Sequence, residues 1–272
     1  MKRSHHLLAG DIVLPVLLAS LQCVCEASSV GLNPLADSMT TTGPTGNLSV
    51  NNFGAAGGLP VAAGDLSNGA FQTVLRFDLA DARNSFDVEF GFGQWTVQSV
   101  TLQLTSTPNN NPSFFNSAAA GLFNVSWLKN NMWIEGTGTP NSPTTDGISY
   151  ESLQSTFIDN ATDENLGTFS FLGGSAGVSG YSLALTSGLL ADILAGDHIS
   201  LRLYAADDVV SYLFNSRSVP NSGSRPALIV IAVPEPRIVT VAVFGLIALL
   251  LHRLGRTCSS RFKLPETRRE RP

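Results

Sequence analysis

The sequence predicts an all-β body, a single antiparallel β-sandwich of jelly-roll type, set between an N-terminal signal peptide and a C-terminal transmembrane helix. Three observations point there. Of 272 residues only 14% are charged while 43% are apolar. Gly, Ser, Thr and Asn fill the difference, a mix that suits many short strands and turns rather than helices rich in Glu, Lys and Ala. Apolar residues recur at alternate positions in window after window along the middle of the chain, the period of a strand with one buried face. Each end carries an apolar run with basic residues beside it.

The N-terminus opens Met1-Lys2-Arg3, followed by an apolar stretch from Leu7 to Leu21 that Asp11 and Pro15 interrupt, and then by Cys25-Glu26-Ala27-Ser28-Ser29. A basic start, an apolar middle and a small-residue site make a secretory signal over 1–27. Cleavage is expected after Ala27, with Ser29 as the other candidate. Cys23 lacks the preceding small residue of a lipoprotein site. Cys23 and Cys25 leave with the signal and Cys258 lies in the tail, so the body over 28–232 has no cysteine and depends on a packed core.

Within the body, Thr73–Leu79 reads as the first clear strand. Val100, Leu102 and Leu104 form the next apolar face, then Phe123, Val125 and Trp127. Thr168–Leu172 follows, then Tyr181, Leu183 and Leu185. Ser187–Leu194 is a helical turn with Leu189, Leu190 and Ile193 on one face. Ile199, Leu201 and Leu203, then Val210, Tyr212 and Phe214, and finally Ala227–Ile231 complete the set. The gaps hold turn formers, at 108–112, 137–141 and 173–175. The Gly- and Asn-rich stretch from Gly43 to Gly69 is expected to pair loosely at an edge. Eight or more strands without a repeat suggest one sandwich.

Few residues offer chemistry. The body from Ser28 to Val233 has 6 Lys/Arg against 16 Asp/Glu, a net of −10, which excludes charge-driven binding of nucleic acid. Its one histidine, His198, stands beside Asp197, and no Gly-x-Ser-x-Gly elbow accompanies it. Without Cys or a His pair the body does not suit zinc. No cofactor is expected. Calcium is the open option, with Asp207-Asp208, Asp78 with Asp81, and Asp163-Glu164 as oxygen donors. Glu135 lies in a Gly-rich turn two residues after Trp133. As a glycosidase acid it would need a second carboxylate, Asp146 or Glu151 being candidates. Otherwise Trp133 packs in the core and Glu135 accepts backbone N–H groups of the turn. Trp95, Trp133 and Glu135 are the candidate ligand face, since aromatic faces stack on sugars. Trp95, in Gly91-Phe92-Gly93-Gln94-Trp95, is the freer ring, and Trp127 belongs to a core face.

The second apolar run, Ile238–Leu251, rises about 21 Å as a helix. It has no polar face and is closed by His252, Arg253 and Arg256, whose side chains can reach headgroups. The tail from His252 to Pro272 carries 7 Lys/Arg and 2 Glu, a net of +5 that acts as a stop-transfer signal and keeps the C-terminus cytoplasmic. Before the run stands Pro234-Glu235-Pro236. Two prolines around a glutamate continue neither a helix nor a central strand, so an extended, exposed linker is expected here, within a segment spanning 233–272.

This order of Pro-Glu-Pro, apolar span and arginines resembles the PEP-CTERM sorting segment of exported bacterial proteins. The resemblance implies recognition by exosortase, a membrane-embedded cysteine protease-transpeptidase. The tail runs on to Pro272, longer than is usual in that family. Within the body, Val74-Leu75-Arg76-Phe77-Asp78-Leu79, Trp133-Ile134-Glu135-Gly136-Thr137-Gly138-Thr139-Pro140, Asn215-Ser216-Arg217 and Arg225-Pro226-Ala227-Leu228 resemble the DNRLRE-type domain of secreted bacterial proteins. That resemblance implies a carbohydrate-module-like jelly roll over Asn47–Ala232. The expectation is an exported, non-enzymatic surface or matrix protein with no catalytic residue, first anchored in the inner membrane and then placed at the cell surface or outside it. Its expected partners are an exosortase-like protease, the membrane and envelope polysaccharide. The alternative is a carbohydrate-binding module or a polysaccharide-active enzyme.

Overall fold

The computed structural model describes residues 26–107, 115–116, 121–171, 177–235 and Gly245. Eleven strands form one antiparallel sheet: β1 (Ser28–Leu32), β2 (Ala36–Thr41), β3 (Gly58–Ala62), β4 (Phe71–Asp78), β5 (Trp95–Ser106), β6 (Gly121–Leu128), β7 (Glu164–Phe171), β8 (Gly177–Leu183), β9 (His198–Ala205), β10 (Ser211–Asn215) and β11 (Ala227–Pro234). Helix α1 (Ala80–Phe90) joins β4 to β5, a short turn α2 (Tyr150–Ser152) precedes β7, and α3 (Ser187–Ala195) joins β8 to β9.

The pairing falls into two blocks, β1-β11-β5-β8 and β2-β4-β9-β6-β7. Between them β3 and β10 pair with each other, and each meets a block at one register position, Ala62 opposite Phe71 and Phe214 opposite Ser106. Both blocks turn an apolar face to one core. It contains Val100 and Leu102 of β5 and Val230 of β11 together with Leu75 of β4, Leu201 of β9 and Phe123 of β6. A β-bulge serves this core. Register shifts between Ile231 and Ala232, which face Ser99 and Val97. The extra residue, Gln98, resets the alternation so that Trp95 and Val97 point inward along with Val100.

Each expected strand overlaps an observed one, and Leu189 and Ile193 of α3 are buried. Strands β1 and β2 were not expected, and three further points differ. β3 lies inside the Gly43–Gly69 stretch, where a loose edge was expected. It pairs along its whole length with β10, and Leu59 and Val61 are buried. Helix α1 has no strong apolar period and buries only Ala82 and Phe86. Its start is marked by Asp78, whose Oδ1 accepts the Ala80 N–H at 3.0 Å. β11 runs through Pro234, opposite Trp95, and the compact unit ends there rather than at Ala232.

A second, smaller core lies on the other face of β4, where Ala36, Val74, Leu128, Trp133, Ile148 and Leu153 pack together. β4 is therefore buried on both faces. The signal, residues 1–25 of the expected 1–27, and the expected span 238–251 apart from Gly245 lie outside the described residues. Among the described residues, no helix is long and apolar enough to cross a membrane.

Candidate functional site

The loop segment after β6 carries the first group of candidate residues. Trp133 is 1% exposed, and its indole N–H donates to Ser200 Oγ at 2.9 Å. Arg76 lies across the ring, its guanidinium carbon 4.8 Å from the centroid. Arg76 Nη1 donates to the carbonyls of Asn131 and Trp133 at 2.9 and 2.7 Å. Burial draws the Arg76 pKa down, and the charge of Glu135 partly offsets this. Trp133 is thus a core ring, as one of the two sequence expectations held.

Asn52, fully buried, ties this segment to the rest of the fold. Its Nδ2 donates to the carbonyls of Glu135 and Ile148 at 2.7 and 2.8 Å, and its Oδ1 accepts the N–H groups of Gly54 and Gly138, both at 3.1 Å. The approach requires glycine at two places. A Cβ on Gly54 would sit 2.0 Å from the Glu135 carbonyl oxygen, and one on Gly138 would sit 1.9 Å from that of Asn52.

So held, Glu135 turns its carboxylate to Arg217, on the loop after β10. Arg217 Nε donates to Oε1 at 3.1 Å and Nη2 to Oε2 at 2.5 Å, a two-point ion pair. The Glu135 carboxylate raises the Arg217 pKa. The backbone N–H of Arg217 donates to Asp37 Oδ2 at 2.6 Å. Asp37, on β2, is 3% exposed, and burial pushes its carboxyl up to about 6. The Arg217 N–H pulls the other way and the Glu135 charge adds to the rise. Here the expectations need correction. Glu135 is held by the Arg217 guanidinium where acceptance of turn N–H groups was expected. The Thr144 and Thr137 hydroxyls and the Thr137 N–H engage Asp146 and hold it down at about 2. Glu151 belongs to a separate cleft with Ser49, Tyr150, Gln154 and Ser155.

Trp95, Trp133 and Glu135 do not form one face. Trp95 is 3% exposed and stands in the main core, its ring centroid 5.0 Å from that of Phe86 and its indole N–H bonded to Asp87 Oδ1 at 2.8 Å. Nothing in the Gly-rich string around Trp95 signals this burial, because the partners come from α1. Trp127 is likewise buried, its N–H on Asp192 Oδ2 at 2.7 Å. All three indoles are turned inward, so none offers a flat face to a sugar.

His198 is exposed, with Nε2 3.6 Å from Asp78 Oδ2. The carboxylates named as oxygen donors serve the backbone: Asp207 accepts the N–H groups of Leu122, Val209 and Val210, Asp163 those of Lys129 and Asp159, and Glu164 that of Gly188. Among the described residues, no group of three or more His, Cys, Asp or Glu side chains converges as a metal site would require.

An open cleft of about 530 Å³ lies between β7 and β8, lined by Thr168, Phe169, Ser170, Phe171, Ser179, Gly180 and Tyr181. Phe169 and Tyr181 meet there with centroids 5.3 Å apart. No lining residue carries a charge.

The Pro-Glu-Pro segment begins inside the sheet. Pro234 is the last residue of β11, half-buried opposite Trp95, and Glu235 is exposed. Of the residues expected as a linker, Pro234 therefore belongs to the sheet. The strand tolerates the proline because it stands at the strand's end, beyond the last pair with β1. Pro236, Arg253 and Arg256 lie outside the described residues. A scan of the chain against models of known protein families finds no match, and a search of curated proteins finds none either.

Proposed function

We propose that the chain is an exported, non-enzymatic surface protein, held in the membrane and then sorted through its C-terminal Pro234-Glu235-Pro236 segment by an exosortase-like membrane protease. The observation that carries the proposal is the exposure of Glu235 as the first residue past the compact unit, three residues before an apolar run that ends in arginines. The body is a jelly-roll-type sandwich of the DNRLRE-like kind. Two antiparallel blocks over one core support that, as does the meeting of Arg76 with Trp133 and of Glu135 with Arg217, residues from three of the four resembling strings. A non-enzymatic role fits a Glu135 neutralised by Arg217 and an Asp37 sealed from solvent. The test is a full chain tagged in the body and at the C-terminus, in a host with the sorting enzyme. The tags separate in wild type, and Glu235→Ala leaves them joined in the membrane with the body folded. Tags that stay joined in wild type refute sorting and leave a permanent anchor.

One observation favours a second role for the same protein, binding of a neutral polysaccharide of the envelope. The β7–β8 cleft sets the half-buried ring of Phe169 beside the hydroxyls of Thr168, Ser170 and Ser179 and has no charge, a lining that suits a sugar ring. Binding of neutral oligosaccharides to the exported protein, measured by titration calorimetry, checks it.

A further inference from the structure

Strand β9 carries a guanidinium that the described protein leaves without a counter-ion. Arg202 and Tyr204, two residues apart, share one face of the strand, and the Arg202 guanidinium carbon lies 4.0 Å from the Tyr204 ring centroid. Gln72 of β4, itself buried, fixes the guanidinium from the side. Its Oε1 accepts the Arg202 Nε–H at 2.8 Å and a Gln154 Nε2–H at 3.2 Å, and its Nε2 donates to the Tyr150 hydroxyl at 3.5 Å. The group is thus held by its face and by Nε. Among the described residues its two Nη groups have no acceptor, and they are not sealed from water. By contrast, Arg76, Arg83 and Arg217 give their Nη groups to backbone carbonyls or to Glu135.

The body has 16 Asp/Glu against 6 Lys/Arg, yet among the described residues no carboxylate comes within ion-pair distance of Arg202. Burial draws the Arg202 pKa down, and the Tyr204 and Tyr150 phenols and the Asp163 carboxylate oppose this. Asp163 is itself engaged by the N–H groups of Lys129 and Asp159. A guanidinium remains charged at neutral pH in such a setting. A half-buried charge that has given up hydration without gaining a partner costs the fold free energy, and an anion from outside recovers it through charge-assisted hydrogen bonds. A second donor stands beside it. Asn124 of β6 is opposite Tyr204 and diagonal to Arg202 on the same face. Its Oδ1 accepts the Thr168 hydroxyl at 2.6 Å, which leaves Nδ2 as the unengaged end of the amide.

We propose that Arg202 and Asn124 form a binding site for one oxyanion, supplied as a free ion or as the acidic substituent of a saccharide, with Tyr204 and Gln72 as positioning residues. The Nη fork and Asn124 Nδ2 donate to the anion, while the Tyr204 ring and Gln72 Oε1 keep the guanidinium in place. The acidic body repels anions at long range, so recognition depends on these short contacts. The site is independent of sorting and of neutral-saccharide binding in the β7–β8 cleft.

The test titrates the purified, detergent-solubilised full chain with sodium sulfate, with sulfated maltose and with maltose, and follows the arginine Nε–H signals by NMR. The Arg202 signal is identified by its loss in Arg202→Lys, or by through-bond assignment if that variant does not fold. Sulfate or sulfated maltose is expected to shift it saturably, and maltose to leave it in place. Equal affinity for the two anions assigns a free ion, and tighter binding of the sulfated sugar assigns a saccharide. Asn124→Asp keeps the acceptor for Thr168 and adds a negative charge, and is expected to weaken binding roughly tenfold or more. An Arg202 signal that neither anion moves, or that moves with equal affinity in wild type and Asn124→Asp, overturns the site. Shifts confined to other arginines overturn it as well.

Discussion

Glu135 and Arg217 stand 82 residues apart in the chain and meet in a two-point ion pair, 3.1 Å from Nε to Oε1 and 2.5 Å from Nη2 to Oε2. The pair joins the Gly-rich segment over the second core to the loop after β10. Through the Arg217 backbone N–H it also reaches Asp37 in β2. Three parts of the chain with no local relation are thus fixed to one another by a single arginine.

Replacing that arginine separates its roles. Arg217→Lys keeps the charge and the backbone bond but loses the fork, and a half-exposed pair of this kind is worth about 1 kcal/mol. Arg217→Met also strands the Glu135 charge and is expected to cost more than Lys. Denaturant unfolding of both variants checks the order. Equal stability of wild type and Arg217→Met would show that the pair contributes nothing.

Asp37 makes stability depend on pH in an unusual direction. Burial pushes its folded pKa up to about 6, above the ordinary carboxyl value of about 4, so between those values the folded state binds more protons than the unfolded one. Stability from this group is fully present below about 4 and is lost as pH rises through about 6. A shift of about two units corresponds to roughly 3 kcal/mol between the ends of that window. Asp37→Asn keeps an oxygen for the Arg217 N–H and cannot ionise. The variant is expected to be more stable than wild type at pH 7.5, with the difference vanishing near pH 4. Unfolding free energies across that range measure it, and a variant less stable at pH 7.5 contradicts the burial account.

Asn52 satisfies two carbonyls and two N–H groups at once. Asn52→Ala leaves four buried backbone groups without partners, and about 3 kcal/mol of stability is expected to go with them. Because Asn52 anchors the segment that seats Trp133, the indole fluorescence of the variant shifts toward longer wavelength. An unchanged spectrum together with unchanged stability would mean that water replaces the amide without cost.

Saccharide binding, if it resides in the β7–β8 cleft, is separable from the tryptophans. Ser170→Tyr fills the cleft from an exposed position and is expected to abolish binding of neutral oligosaccharides, with stability within about 0.5 kcal/mol of wild type. Trp133→Phe is expected to lower stability and leave affinity unchanged. Calorimetric titration of the two variants decides between the cleft and the tryptophans, and the reverse pattern would return the ligand to the Trp133 side.

What the sequence determined by itself is local. Alternation at Val100, Leu102 and Leu104, and at Ile199, Leu201 and Leu203, identifies strands because a strand with one buried face must repeat every second residue. The faces at Leu189 and Ile193 identify α3 by the helical period. What only the tertiary structure decided is non-local. β3 looks like loop, with Gly58 and Pro60 inside it, and becomes an interior strand because β10, far later in the chain, pairs with its full length. Trp95 looks free among glycines and is buried because β11, far later in the chain, pairs with the strand that Trp95 opens and the ring joins the core shared with distant strands. Pro234 looks like linker and ends a strand because Trp95 stands opposite. Glu135 looks like a lone acid in a turn and becomes half of an ion pair because Arg217 arrives on the loop after β10. Periodicity reports how a residue faces its own backbone. Which partner covers that face depends on chain closure over long distances, and no short window of sequence contains it.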